Sequence, residues 1–271
     1  MLNVSISPCP NDTFSFYHYL VCANKEKNQV NFEDIQTLNE RALKNNGDVI
    51  KVSIAVYPLI QENYIILDSG AALGRSCGPL LIAKKKIQTE DIRNLRIALP
   101  GLNTSANRLF NLLYPQHKNH IYTTYEKVMA KIDSGEVDAG VIIHENRFTY
   151  QAKGFTLISD LGELWANQYS EWLPLGCVVA KKSMGLQKIK QISEQITESI
   201  QWAFQNRQNS DLQKFIQQHA QELDPTVINQ HINLYVNEYS LQLGNLGCEA
   251  ILNFLSNNLN KNKPCFISDL K

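Results

Sequence analysis

Short apolar runs with strand periodicity alternate with helical runs over the first two thirds of the chain, which restricts the fold to the α/β class. Leu2, Val4 and Ile6 alternate with polar neighbours as a strand does. An aromatic helix is expected around Phe14–Leu20, a strand near Val30–Ile35, a helix through Leu38, Ala42 and Leu43, and a strand over Val49–Tyr57. In that last strand Ile50, Val52, Ile54 and Val56 fall on one face and Lys51, Ser53 and Ala55 on the other, so one face is core and the other can meet a ligand. From Arg96 the pattern restarts: Ile97–Leu99 reads as a strand, Pro100-Gly101 as a turn, and Thr104 as the N-cap of a helix carrying Leu109, Leu112 and Leu113. Tyr125, Val128, Met129 and Ile132 then recur at helical spacing, Ser134-Gly135 ends that helix, and Val137–Ile143 reads as a strand covered on both faces.

The C-terminal third is helical. Ile189, Ile192, Ile196, Ile200 and Ala203 form one stripe, with further stripes on Leu212, Phe215 and Ile216, on Ile228, Ile232 and Tyr235, and on Leu246 to Leu255. The polar stretch Asn206–Gln218 fits a surface helix. These segments hold too little strand for a sheet of their own, so they are expected to pack on the first lobe, with the chain crossing between lobes near Lys84–Ile92 and Leu173–Ala180. A chain of 271 residues can bury one large core or two modest ones. The expected division is residues 1–87 with 176–271 as a larger, discontinuous lobe, and 88–175 as a smaller one.

Lysine plus arginine balance aspartate plus glutamate at 26 each, which argues against nucleic acid as a partner, and Lys84-Lys85-Lys86 reads as a solvated turn. No apolar run approaches the length of a membrane span and the first residues enter a strand directly, so a cytosolic location is expected. Cys9, Cys22, Cys77, Cys177, Cys248 and Cys265 are dispersed with no C-x-x-C pair, which reads as reduced thiols and offers zinc no cage.

Two stretches carry chemistry. In Ser7–Phe14 two prolines stop the first strand's ladder, and Asn11, Asp12 and Thr13 supply capping side chains at a helix start, where backbone amides attract anions. The same pattern also fits an ordinary strand-to-helix turn. In Gly140–Tyr150 an apolar strand runs straight into the polar cluster His144-Glu145-Asn146-Arg147, and in open α/β sheets ligands bind at such carboxyl ends. An imidazole fixed there suits general-base work near neutrality, which makes His144 the catalytic candidate; a strand-end histidine that caps its loop or pairs with Glu145 is the alternative.

The Ser7–Phe14 run, Leu38-Asn39, the run Ala-Leu-Gly-Arg-Ser-Cys-Gly-Pro-Leu at 72–80, and the His144 cluster occur together in one order. In these motifs, and in Asp160-Leu161-Gly162 and Tyr235-Val236-Asn237, the chain resembles the 1,4-dihydroxy-6-naphthoate synthases of the futalosine route to menaquinone. The resemblance covers nearly the whole chain. It implies a two-lobed fold like the type II periplasmic binding proteins with a ligand cleft between lobes that closes on substrate, and a cofactor-free carbon–carbon lyase. It also implies that cyclic dehypoxanthinyl futalosine gives 1,4-dihydroxy-6-naphthoate and dihydroxyacetone. By the same resemblance the base is His144, and substrate contacts fall on Lys51, Val52 and Ser53, on Thr104, Ser105 and Ala106, and on Asn39 and Asn11. Where the family favours a second threonine this chain has Ser105, which keeps a hydroxyl.

Other reactive side chains have plainer readings. Cys9 fits a packed thiol as well as a nucleophile, and His117 and His120 have metal-like spacing in a loop without completing ligands. His18 fits either a cleft-lining or a partly buried structural histidine, and Trp165 and Trp172, with Tyr169 nearby, fit either packing or stacking on an aromatic ligand. The competing function is a non-catalytic binding protein for a small aromatic carboxylate, which fold alone does not distinguish from an enzyme.

Overall fold

The computed structural model describes residues 1–22, 28–169, 172–256, 264 and 266–269. Among them the strands are β1 (Asn3–Ile6), β2 (Gln29–Phe32), β3 (Val49–Ser53), β4 (Tyr64–Ile66), β5 (Ala72–Arg75), β6 (Leu80–Ala83), β7 (Ile97–Leu99), β8 (His120–Tyr122), β9 (Ala139–Ile142), β10 (Thr156–Asp160) and β11 (Trp172–Lys181). The α-helices are α1 (Pro10–Tyr17), α2 (Ile35–Leu43), α3 (Tyr57–Ile60), α4 (Ser105–Leu113), α5 (Val128–Asp133), α6 (Asn146–Thr149), α7 (Leu161–Gln168), α8 (Leu186–Gln205), α9 (Ser210–His219), α10 (Pro225–Tyr235), α11 (Glu238–Leu241) and α12 (Gly244–Leu255). Cys265 lies outside the described residues.

The chain divides into two compact units, one of Met1–Leu73 with Pro174–Lys271 and the other of Gly74–Leu173. The first change of unit comes earlier than the expected boundary after residue 87. The reason is pairing: β6 runs antiparallel between β9 and β10, so residues 74–87 belong with the second unit.

In the first unit the sheet order is β2-β1-β3-β11-β4, with β1 parallel to both β2 and β3, and β11 antiparallel to β3 and β4. The isoleucine stripe of α8 is fully buried with Val4, Ile6, Phe14, Phe16 and Val178, joined by Leu212, Ile216, Ile228 and Ile232 from α9 and α10. Each such aliphatic side chain contributes about 1.5–3 kcal/mol by leaving water. The polar α9 stretch buries only Leu212 and Ile216, as a surface helix does.

In the second unit the order is β10-β6-β9-β7-β8, with β7 parallel to both β8 and β9. Each unit therefore places the first strand of a parallel trio in the middle, β2-β1-β3 in one and β8-β7-β9 in the other. In such an order the chain steps from the middle strand to one side and then crosses to the other, the reversal beside whose carboxyl ends ligands bind in open α/β sheets.

Some boundaries differ from the sequence expectation. β3 stops at Ser53; Ile54–Val56 form a 3₁₀ turn into α3, where Pro58 sits in the first turn and has no N–H to give a ladder. Ile54 and Val56 are still buried, but through the turn rather than through strand alternation. The first helix starts at Pro10, not near Phe14, for the same reason: proline is preorganised for a first helical turn. Ile97–Leu99 and the Thr104 cap are as expected.

Candidate functional site

In the first unit the residues expected to bind substrate gather at the carboxyl ends of β1 and β3. Lys51 is buried, and its ammonium donates to the Gly70 carbonyl at 2.8 Å and lies 2.7 Å from Asp12 Oδ1. A buried lysine in a strand requires such a counter-charge. Asp12 is held in turn: its Oδ2 accepts from the Ser7 hydroxyl at 2.6 Å and the Ser7 amide at 3.3 Å, and its Oδ1 accepts from Asn11 Nδ2 at 2.8 Å. Asp12 thus faces back onto the Ser7 turn, while Cys9 is the N-cap of α1 and its side chain does not cap the helix amides. Two residues along β3, Ser53 and Asn39 of α2 satisfy each other. Asn39 Nδ2 donates to Ser53 Oγ at 3.0 Å and the Ser53 amide donates to Asn39 Oδ1 at 2.8 Å. Val52, expected as a further contact, is fully buried and pairs with Cys177 of β11.

In the second unit the expected residues follow the adjacent parallel strands β7 and β9, whose pairing Ile97↔Ala139 and Ala98↔Gly140 puts their carboxyl ends side by side. After β7 the chain turns at Gly101 and starts α4. The Thr104 hydroxyl caps that helix, accepting from the Asn107 amide at 3.1 Å and donating to the Gly101 carbonyl at 3.0 Å. Ser105 and Ala106 are buried in the first turn. After β9 comes His144 with φ of 57°, a left-handed backbone that is uncommon in residues other than glycine. Its ring meets Tyr125, which follows β8, edge to face with centroids 4.7 Å apart. The three parallel strands of this unit therefore deliver Thr104–Ala106, Tyr125 and His144 to one edge of the sheet.

Sequence reasoning placed Ser7 and Asp12 in a ligand-holding stretch as turn and capping residues, but it did not reach the pairing of Asp12 with Lys51, nor Tyr125. The signal for Asp12 was present: a lysine between buried valines and isoleucines requires an acid, and Asp12 lies after the neighbouring strand. Arg147 and Asp160 form another pair, with Nη2 2.5 Å from Oδ2. Burial pushes the nearby Cys77 thiol up from its ordinary pKa, with Arg147 opposing that shift and Asp160 adding to it. Burial also pushes Cys177 up to about 12, against the opposing influence of Lys51, so both thiols stay protonated near neutrality.

The lower-ranked candidates take structural roles. Trp165 is buried in the second unit, stacks on Tyr169 with centroids 4.6 Å apart, and donates to the Trp172 carbonyl at 3.2 Å. His18 stacks on Trp202 at 5.0 Å. His117 is buried with Nε2 3.0 Å from the Leu95 carbonyl oxygen, and His120 Nε2 lies 3.1 Å from the Tyr122 hydroxyl. The two imidazoles form no three-ligand group with any described cysteine or acid.

Residues 2–258 match the sequence profile of the menaquinone biosynthesis family. The chain is 37% identical over 253 residues to 1,4-dihydroxy-6-naphthoate synthase of Thermus thermophilus, covering 92% of this chain and 91% of that one. It is 36% identical over 263 residues to the Streptomyces coelicolor protein of the same name, covering 94% and 92%. A crystal structure of an Archaeoglobus fulgidus protein superposes with a TM-score of 0.87 at 27% identity, over 94% of this chain and 95% of that one. The alkanesulfonate-binding protein SsuA of Xanthomonas axonopodis superposes with a TM-score of 0.64 at 14% identity, over 86% and 83%, which shows the two-lobed fold of the periplasmic binding proteins. The profile match and the two close relatives, each spanning nearly the full chain, establish that this chain belongs to the menaquinone biosynthesis family that includes the 1,4-dihydroxy-6-naphthoate synthases.

Proposed function

We propose that this chain is a carbon–carbon lyase that converts cyclic dehypoxanthinyl futalosine to 1,4-dihydroxy-6-naphthoate and dihydroxyacetone, without a cofactor and in the cytosol. The observation that carries the reading is the 36–37% identity, over more than nine tenths of each chain, to two proteins named for that naphthoate product. His144 acts as general base. It removes a substrate proton, a retro-aldol-like cleavage follows, and the gain of aromaticity in the naphthoate drives the step forward. An imidazole carried at a strand's carboxyl end by a left-handed residue, with its ring against Tyr125, supports this role because its position is constrained by the sheet.

Substrate contacts come from Asn11, Asn39, Lys51, Val52, Ser53, Thr104, Ser105 and Ala106. The start of α4 is the better receiver for the substrate carboxylate, since the first turn of α1 already carries the Asp12 carboxylate whereas that of α4 has no acidic residue. None of the five described cysteines is in a disulfide, which fits a reducing compartment.

The test is incubation of the purified protein with cyclic dehypoxanthinyl futalosine and detection of the naphthoate by absorbance and mass. Likeness to sulfonate-binding proteins favours one second reading, a receptor for a small aromatic acid. Tight binding with no product selects that receptor and rejects the lyase.

A further inference from the structure

The geometry points to Arg147 and Asp160 as positioning residues that hold His144 in place, a role that rests on the base assignment above. A left-handed backbone at a histidine persists only where its surroundings over-determine it. The turn that follows supplies local bonds, Arg147 amide to His144 carbonyl at 3.3 Å and Phe148 amide to Glu145 carbonyl at 2.9 Å. Yet α6 is a single turn of four residues, too short to hold its own conformation. Its anchor is the Arg147 side chain. One guanidinium nitrogen, Nη1, donates to the Gly78 carbonyl at 2.6 Å and the other, Nη2, to Asp160 Oδ2 at 2.5 Å.

The groups that receive Arg147 belong to one frame. Asp160 divides its carboxylate: Oδ2 takes Arg147 while Oδ1 caps α7, accepting from the Gly162 amide at 2.9 Å and the Glu163 amide at 3.3 Å. The Leu161 amide donates to the Pro79 carbonyl at 3.0 Å. At Gly162 a Cβ would lie 2.1 Å from the Cys77 carbonyl carbon and 2.4 Å from the Gly78 nitrogen, so the two backbones meet in a contact only glycine permits. Three sequence motifs therefore converge on one guanidinium: the 72–80 run, Asp160-Leu161-Gly162 and the His144 cluster. A planar fork reaching two acceptors at once fixes orientation in a way a lysine does not. Arg147 thereby ties the His144 turn to residues 77–79 and to the start of α7.

The experiment compares D160N, R147Q, R147K and H144A with the wild type, using cyclic dehypoxanthinyl futalosine as substrate and reading kcat, KM and Tm. D160N keeps an amide oxygen for the α7 cap but faces Arg147 with a donor, so it separates positioning from capping. Expected are losses in kcat of about 10²-fold for D160N and R147Q, the scale of an ångström misplacement, with KM little changed. R147K should recover part of that loss. N209A, which removes the α9 cap in the other unit, is the stability control. An equal kcat loss in N209A at the same fall in Tm would reduce the pair to a structural role and overturn the inference. Full activity in D160N and R147K beside a dead H144A overturns the inference alone, and those two variants decide it even where R147Q fails to fold. A wild type that makes no naphthoate, or an active H144A, overturns the base assignment and this inference with it.

Discussion

The Lys51 ammonium lies 2.7 Å from an Asp12 carboxylate oxygen, with only 6% and 2% of the two side chains exposed. Removing one partner leaves the other as an uncompensated charge away from water. Asp12→Ala is expected to destabilise the chain by about 3–5 kcal/mol in denaturant unfolding. The double variant D12L/K51M should recover much of that loss, because it removes both charges together. A single variant as stable as the wild type would show that the pair is not desolvated in solution.

His144→Ala is expected to lower kcat by about 10²- to 10⁴-fold, the usual contribution of a general base, while substrate affinity changes little. Single-turnover kinetics with an independent binding measurement separate the two quantities. A variant with wild-type turnover means that another group takes the proton.

Gly162→Ala places a methyl group 2.1 Å from the Cys77 carbonyl carbon, where no flexible side chain is available to give way. Backbone must move instead, at a cost of about 1–3 kcal/mol or more. Chemical denaturation measures it, and a neutral effect would mean that the 77–79 segment shifts freely.

Two histidines make stability depend on pH in a defined direction. Burial lowers His219, whose ring stacks on Phe32 with centroids 3.8 Å apart, from its ordinary 6.5. Burial also lowers His120, reinforced by His117 and Lys118. With the folded pKa below the unfolded one, the unfolded chain binds more protons in the interval between them. Their contribution to stability is therefore complete above about pH 6.5 and is lost as pH falls through the lowered folded values. Tm should decline on acidification from about pH 7 to about pH 5, and His219→Gln should flatten part of that slope. A Tm that rises over this interval contradicts the sign.

Much of the architecture is legible in the sequence where the signal is local. Ile97–Leu99, the Thr104 cap and the α8 stripe follow from periodicity and capping chemistry that short windows contain. The end of β3 at Ser53 was missed, with the strand expected to run on to Tyr57, although Pro58 is the local mark of the helical turn that cuts it short. What escaped is long-range. The antiparallel pairing of β6 with β9 and β10 moves the first change of unit, and no window around residue 80 reveals it. The same holds for the candidate site: Lys51, Ser53, Thr104 and His144 are visible as residue types at strand ends. That Asp12, Asn39 and Tyr125, from neighbouring strands or helices, are their partners appears only once the sheets are assembled.

The reciprocal bonds between Asn39 and Ser53 have a consequence for anyone who would regraft this scaffold onto a different ligand. A side chain whose donor and acceptor are already committed to a neighbour cannot be exchanged singly, because the orphaned half is left desolvated at the tip of a buried strand. New specificity on this architecture must therefore be transplanted in blocks, with the α2 residue and the β3 terminus travelling together.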